Sequence, residues 1–277
     1  MKIAVMYIAI GAYSVMWDGF YSSAKENLFA GNSVHYFLFS DKEDLSFDKR
    51  DVTFIKSKDY GWPGNTLYRF RMFSSISSEL AYFDYCYFFN ANAYINKPVG
   101  LALLPAKGSD IVSVEHFNFK GRNPAWFGYE RRKKSTAYVP WGQENEHFCQ
   151  ACLIGATSSE FIKMSRMLEQ NIDEDDKNGI CAKWHDEDHF NKYIIGKNAT
   201  ILPINYAYPS RLLTPESKDT ALIIMRDKSQ FGNLSVLRYK KKISFIKWCK
   251  IKAFNQFDKA NTFVHVLIYG HKHRSKK

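Results

Sequence analysis

The densest run of reactive side chains is Trp184-His185-Asp186-Glu187-Asp188-His189, with three carboxylates and two imidazoles in six residues. Charges gathered this closely are costly to bury without partners. His185 and His189 stand four apart, as helical zinc ligands do, but the order is not His-Glu-x-x-His and no third ligand stands out. A charged surface turn is the ordinary alternative. The flanking Trp184 and Phe190 argue for a partly enclosed site, where a carboxylate can act as nucleophile or base. A second candidate is Asn90-Ala91-Asn92, which follows the aromatic run Phe88-Phe89. In an extended chain, side chains two apart face the same way, so both amides can meet one ligand. Asn is neutral and a poor ligand for a hard cation without carboxylate help. It still hydrogen-bonds ribose or phosphate oxygens. Alone, the pair reads equally well as an Asn-rich turn.

Cys149-Gln150-Ala151-Cys152 is a lone C-x-x-C. Redox activity or half a zinc site would need a partner motif, and none follows. Two buried structural cysteines are expected. Tyr129-Glu130-Arg131-Arg132-Lys133-Lys134 taken alone is a solvated basic loop. Arg69 and Lys228 are isolated cations near element ends, useful against a diphosphate.

The elements that must position these residues alternate in type. Residues 3–10 predict a buried strand, 11–13 a turn and 20–29 a helix. Residues 34–39 predict a second strand, stopped at Ser40-Asp41, and 67–80 a helix. Residues 85–89 form a short apolar strand ending at Asn90. Residues 110–114 predict another strand, 121–140 a basic aromatic loop, and 149–155 a small apolar stretch. Residues 161–170 and 187–195 have helical spacing, 173–177 reads as a charged turn, and 221–225 as a late strand. Such alternation indicates a mainly parallel sheet with helices on its faces. In open α/β sheets, ligands bind at the carboxyl ends of the strands, which is where Asn90 falls.

The chain of 277 residues fits one large α/β domain with an appendage. Its net charge of +11 is unevenly spread. Residues 239–277 carry a net +10, and the preceding 238 residues a net +1. The expected division is therefore a domain at 1–238 and a basic aromatic tail at 239–277, suited to an anionic surface. The five cysteines are scattered, unlike a secreted disulfide framework, and fit a reducing, cytoplasmic setting. No stretch approaches the roughly 20 apolar residues of a membrane-spanning helix. Lys2 and the apolar run after it have some likeness to a signal peptide, but a buried first strand is the expected reading.

Taken together, several segments appear in one order: Tyr129-Glu130-Arg131-Arg132, Ala137-Tyr138-Val139-Pro140, Asn178-Gly179-Ile180, Trp184 through His189, and Asn191-Lys192-Tyr193. That order resembles the family 6 glycosyltransferases, which include the blood-group A and B transferases, the mammalian α-1,3-galactosyltransferase and bacterial relatives. Val34-His35-Tyr36, Phe39 and Asp41 also fit. The likeness runs from about Ile3 to Arg238, and its most specific part is 178–193.

The resemblance implies a GT-A fold, a single Rossmann-like domain with a nucleotide-sugar site at the carboxyl edge of its sheet. It implies retaining transfer of galactose or N-acetylgalactosamine from UDP to O3 of a galactoside, giving an α-1,3 linkage. Ile8, Ile10 and Tyr13 match positions that cradle uridine, and Arg69 one that reaches toward the donor. Asn90 and Asn92 match the metal-binding aspartates of the mammalian enzymes, so Asn-x-Asn resembles a bacterial, metal-independent branch. No cofactor is expected beyond the UDP-sugar substrate. Gln150, Ala151 and Cys152 match the tripeptide that selects the donor's C2 substituent, and Asp186 a donor-sugar contact. Glu187 matches the carboxylate on the reacting face, the catalytic residue. Lys228 matches a basic residue on the departing diphosphate, with Arg238 a second. His116 and Trp184 match acceptor-binding positions. Departures fall at Gly128, at Tyr208-Pro209 and at Gly155-Ala156-Thr157, where the family carries an acceptor-contacting threonine, a Trp-Asp pair and a longer Gly-rich segment.

With neutral asparagines, Lys228, Arg69 and Arg238 must stabilise the leaving group. The thiol of Cys152 favours UDP-galactose over UDP-N-acetylgalactosamine. The acceptor is expected to be a galactose-terminated surface glycan, plain or fucosylated. The tail is expected to be a peripheral anchor on the inner face of the cytoplasmic membrane. The reading of another class is non-catalytic nucleic-acid or glycan binding, through the tail or through a donor site that has lost catalysis. The near-neutral domain, the lack of a nucleic-acid motif and the retained Asp186 and Glu187 weigh against it.

Overall fold

In the computed structural model, residues 1–232 and 263–265 are described. Arg238 and all of the basic tail except residues 263–265 lie outside them.

The first strand, β1 (Lys2–Ile8), is apolar at nearly every position because both its faces are covered. Ile3, Val5 and Tyr7 face one core layer, and Ala4 and Met6 the other, as strand alternation requires. The first layer also holds Trp17 and Phe20 of α1 (Trp17–Asn27). On one side of β1 run β2 (Ser33–Ser40) and β3 (Val52–Lys56), both parallel to it. The chain then crosses to the other side through three short helices, α2 (Gly61–Leu67), α3 (Arg69–Ser74) and α4 (Ser77–Leu80). It enters β4 (Tyr85–Phe89), which also pairs parallel with β1. The order therefore reverses between β1 and β4, and the crevice at their carboxyl ends is the place where such a sheet binds ligands.

After β5 (Ala93–Ile95) and β6 (Ile111–Glu115), the long strand β7 (Cys149–Thr157) runs antiparallel between β4 and β6. Helices α5 (Ser158–Lys177) and α6 (Asp186–Tyr193) follow, and β8 (Ala199–Leu202) closes the edge. The seven-stranded order is β3-β2-β1-β4-β7-β6-β8. Only β7 opposes its neighbours, so the sheet is mainly parallel. A small second sheet joins β5 to β9 (Tyr208–Pro209) and β10 (Ile223–Met225), with α7 (Pro215–Thr220) between the last two. This is the expected GT-A-like architecture.

Three local features differ from expectation. The single helix over 67–80 is broken at Tyr68 and again at Ser75-Ile76. The Ser75 and Ser77 hydroxyls donate to the carbonyls of Met72 and Ser74, competing with the helical ladder. The charged run 173–177 is not a turn but the last part of α5. Its charges find tertiary partners: Arg71 binds Asp173, and Asp175 is buried against Ser135 and Thr136. Residues 11–13 open a short 3-10 helix, Gly11–Met16, in place of a simple turn. The departure at 155–157 lies inside β7 rather than in a loop. Gly155 is pressed against the Tyr87 ring, where a Cβ would collide.

Candidate active site

Two adjoining cavities open at the crevice. The smaller, about 30 Å³, is walled by Ile8 at the end of β1 and Ile10 just beyond it, by Tyr13, Asn65, Thr66 and Arg69, and by Asn90 and Lys228. The larger, about 390 Å³, shares Asn90 and Lys228 and adds Asn92, Phe117, Gln150, Pro209 and Arg211 among others. Sequence positions more than 200 residues apart thus meet at one polar edge of the sheet. Of the twelve expected donor-side residues, Ile8, Ile10, Tyr13, Arg69, Asn90, Asn92, Gln150 and Lys228 line one cavity or both, Ala151, Cys152 and Asp186 line neither, and Arg238 lies outside the described residues.

Asn90 and Asn92 serve different backbones. The Asn90 N–H donates to the Cys152 carbonyl at 2.8 Å, tying β4 to β7. The Asn92 side-chain amide donates to the Arg226 carbonyl at 2.7 Å, which fixes Nδ2 and turns Oδ1 the other way. Oδ1 is buried and, among the described residues, has no hydrogen-bond partner. Gln150 Oε1 and Ser210 Oγ, in the wall of the same cavity, are in the same condition. Buried polar atoms left without partners call for an explanation, and a polyhydroxylated ligand supplies the missing donors. The Lys228 ammonium lies over the Tyr13 ring, 5.2 Å from its centre.

Helix α6 brings the carboxylates. Asp186 is buried against Arg69, with Oδ2 3.0 Å from Nε. Arg69 is further held by the carbonyls of Thr66 and Ala151 and by the face of Phe88. Burial pushes the Asp186 carboxyl up to about 6 even with Arg69 and Lys228 drawing it down. Glu187 is the accessible one, its side chain 21% exposed. Its Oε2 accepts from the Ala151 N–H at 3.0 Å, and its Oε1 lies 3.9 Å from His116 Nε2. Burial raises this carboxyl to about 8, against the pull of the Ala151 N–H. His116, stacked on Phe117 and packed near Phe119 and Phe148, is lowered to about 4 by burial and is neutral at pH 7.

The remaining members of the motif are structural. Asp188 is buried, accepts from the Trp184 N–H at 2.6 Å, and is raised by burial. His189 sits 3.7 Å from Asp175 and is lowered by burial, so the His185/His189 pair does not converge. Asn191 exchanges hydrogen bonds with both the N–H and the C=O of Cys149, locking α6 to β7. Cys149 and Cys152 are buried free thiols, as expected. Cys152 belongs to the core layer that also holds Ala91 and Met225, and its own side chain lines neither cavity. The register of β6 against β7 shifts across residues 151–153, and the alternation breaks there, with Cys152 and Leu153 in the same core layer. Trp184 is half-exposed beside Gly128, where a Cβ would stand 2.7 Å from the indole nitrogen. The small residue at 128 is thus the condition for seating Trp184. Arg211 and Arg226 were not legible as site residues. Arg226 is bound by the carbonyls of Met16 and Ala93, and Arg211 stacks over Phe117. Each is a lone cation in sequence.

A mainly parallel sheet with a polar, cation-bearing cleft at its switch point defines a nucleotide-binding α/β protein. Residues 1–238 match the model of "Glycosyltransferase family 6". The chain is 32% identical over 238 residues to the O-antigen biosynthesis glycosyltransferase WbnI of Escherichia coli, covering 84% of this chain and 99% of that protein. It is 27% identical to the rat histo-blood group ABO system transferase 2, covering 77% of this chain and 62% of that one. It is 25% identical to the chicken globoside α-1,3-N-acetylgalactosaminyltransferase 1, covering 78% and 61%. The chain spans about three-fifths of those two vertebrate proteins. It belongs to glycosyltransferase family 6, and so takes a nucleotide-sugar donor and a glycan acceptor. Among the described residues no helix is long and apolar enough to cross a membrane.

Proposed function

We propose that this chain transfers galactose from UDP-galactose to O3 of a galactoside in a bacterial surface glycan, with retention of configuration and without a metal ion. The observation that carries the reading is the presentation of Glu187. One carboxyl oxygen is pinned by the Ala151 N–H while the other lies 3.9 Å from His116 Nε2 on a partly exposed side chain. A carboxylate fixed there can meet an anomeric carbon as nucleophile, or stabilise an oxocarbenium-like cation during same-face attack. The C1–O bond to the β-phosphate breaks with its electron pair leaving on UDP. The acceptor oxygen bonds to C1, and its proton passes to the departing phosphate. Ile8, Ile10 and Tyr13 suit a uracil and ribose, and Trp184 and His116 suit an acceptor sugar.

The donor set at Asn90 and Asn92 does not fit a hard dication. Both are neutral amides, Asn92 spends its N–H on a backbone carbonyl, and Lys228 and Arg226 line the same cavity. The leaving-group charge falls instead to Lys228, with Arg69 and Arg238 as further cations. N-acetylgalactosamine is the alternative donor sugar, which the names of the vertebrate relatives keep in view. The tail at 239–277 is the proposed peripheral anchor on an anionic membrane surface. A chain ending at Arg238 that still sediments with anionic vesicles overturns that part. The function is tested by presenting UDP-galactose and UDP-N-acetylgalactosamine together with a galactoside, with and without chelator. Galactosylated product in chelator is expected; no product from either donor refutes the reading.

A further inference from the structure

His185 has a backbone that its residue type disfavours. Its φ is 58° and its ψ −125°, the first central position of a type II′ turn, where glycine is the default. The closing hydrogen bond is present: the Glu187 N–H donates to the Trp184 carbonyl at 3.2 Å. The turn is further braced by the His185 N–H, which donates to the Ala182 carbonyl at 3.0 Å. This one turn orients Trp184 outward and sends Asp186 and Glu187 inward as the first residues of α6. A strained residue persists only where its surroundings over-determine it, and such residues cluster at functional sites.

The surroundings here are specific. The imidazole meets the Trp62 ring edge-on, centres 5.3 Å apart, and its Nδ1 lies 3.3 Å from the Cys181 sulfur. Trp62 belongs to α2, whose Asn65 and Thr66 wall the smaller cavity. The next helix supplies Arg69, the partner of Asp186. Glycine would satisfy the backbone at 185 but would remove the ring that joins these pieces.

We infer that His185 is a positioning residue: its ring, held between Trp62 and Cys181, keeps a strained turn in register so that the Glu187 carboxyl stays fixed relative to the donor cavity. The inference rests on the reading of Glu187 as the reacting carboxylate. A misplacement of about 1 Å at a reacting group costs up to about 100-fold in rate.

The test compares wild type, His185→Gly, His185→Phe and Glu187→Gln, using UDP-galactose and a galactoside over a range of pH. His185→Gly relieves the turn, so its melting temperature is expected at or above that of wild type. Its kcat is expected to fall about 10- to 100-fold with the donor KM little changed. The rising limb of kcat/KM against pH is expected to move toward the ordinary carboxyl range as Glu187 loosens. His185→Phe keeps a ring without a titratable proton and is expected to recover most of the loss. Wild-type kcat and an unmoved pH limb in folded His185→Gly overturn the inference, as does a loss in His185→Phe equal to that in His185→Gly. If His185→Gly fails to fold, Trp62→Leu removes the contact from the other side and must show the same kcat loss and limb shift; an unchanged kcat there overturns it. If Glu187→Gln retains turnover, the functional reading itself fails. If Glu187→Gln is inactive while His185→Gly behaves as wild type, only this inference fails.

Discussion

The Arg69 guanidinium and the Asp186 carboxylate form an ion pair 3.0 Å apart with both side chains almost wholly out of solvent. The pair joins α3 to the first residue of α6, directly beside Glu187. Pairs like this one add little stability compared with an apolar replacement of both members, but removing one member leaves an uncompensated buried charge. It therefore works as a register pin between two elements that the broken crossover brings together.

Arg69→Met is expected to destabilise the protein by about 3–5 kcal/mol near pH 7.5 by chemical denaturation. The loss should shrink as pH falls toward 6, because without Arg69 the Asp186 carboxyl, at about 6 in its presence, takes up its proton at higher pH. An equal loss at pH 5 and 7.5 contradicts this.

The Glu187 carboxyl, raised to about 8, makes both stability and activity depend on pH. The folded state holds this proton more tightly than the unfolded chain, so stability falls as pH rises from the ordinary carboxyl value through 8. His116, lowered to about 4, works in the opposite sense below 6.5. The fall should therefore be plain between pH 6.5 and 8 in thermal melts, and Glu187→Gln should flatten it. Because the carboxylate is the working form, kcat/KM should climb over the same window.

Much of this was legible in the sequence where a pattern is local. The apolar runs of β1, β2 and β4 are nearly continuous because both faces of the sheet are covered, and β4 ends at Asn90, which lines both cavities. The site residues around Asn90, Gln150 and Glu187 were legible by type, order and family likeness. What was not legible depends on tertiary partners. Residues 173–177 look like a turn until Ser135, Thr136 and Arg71 are placed against them. The break that turns Arg69 inward reflects contacts to Ala151 and Asp186, over 80 residues away. The register shift between β6 and β7, which leaves the neighbours Cys152 and Leu153 in one core layer, has no local signature.

Lys228 borders both cavities, a place that suits the diphosphate of the proposed donor. Lys228→Ala is expected to lower kcat by about 10²–10³-fold, the usual loss for one preorganised group facing developing negative charge. Added Mn²⁺ should not restore it. Recovery with Mn²⁺ would mean that a metal, not this side chain, carries the leaving group.

Cys152 ends the Gln150-Ala151-Cys152 segment and is closely packed. Because its thiol lines neither cavity, Cys152→Gly is expected to leave the ratio of UDP-galactose to UDP-N-acetylgalactosamine use within about 10-fold of wild type, with competing donors in one assay. A larger shift toward UDP-N-acetylgalactosamine would mean that the thiol shapes the donor pocket.

The central claim is that the Glu187 carboxylate turns over a UDP-hexose without a metal ion. The direct measurement is galactosyl transfer from UDP-galactose to a galactoside in EDTA, wild type beside Glu187→Gln. Steady turnover by wild type, with a loss of about 10³-fold or more in the variant, is the expected result. Wild type that is silent until Mn²⁺ is added, or a variant that transfers at the wild-type rate, contradicts it.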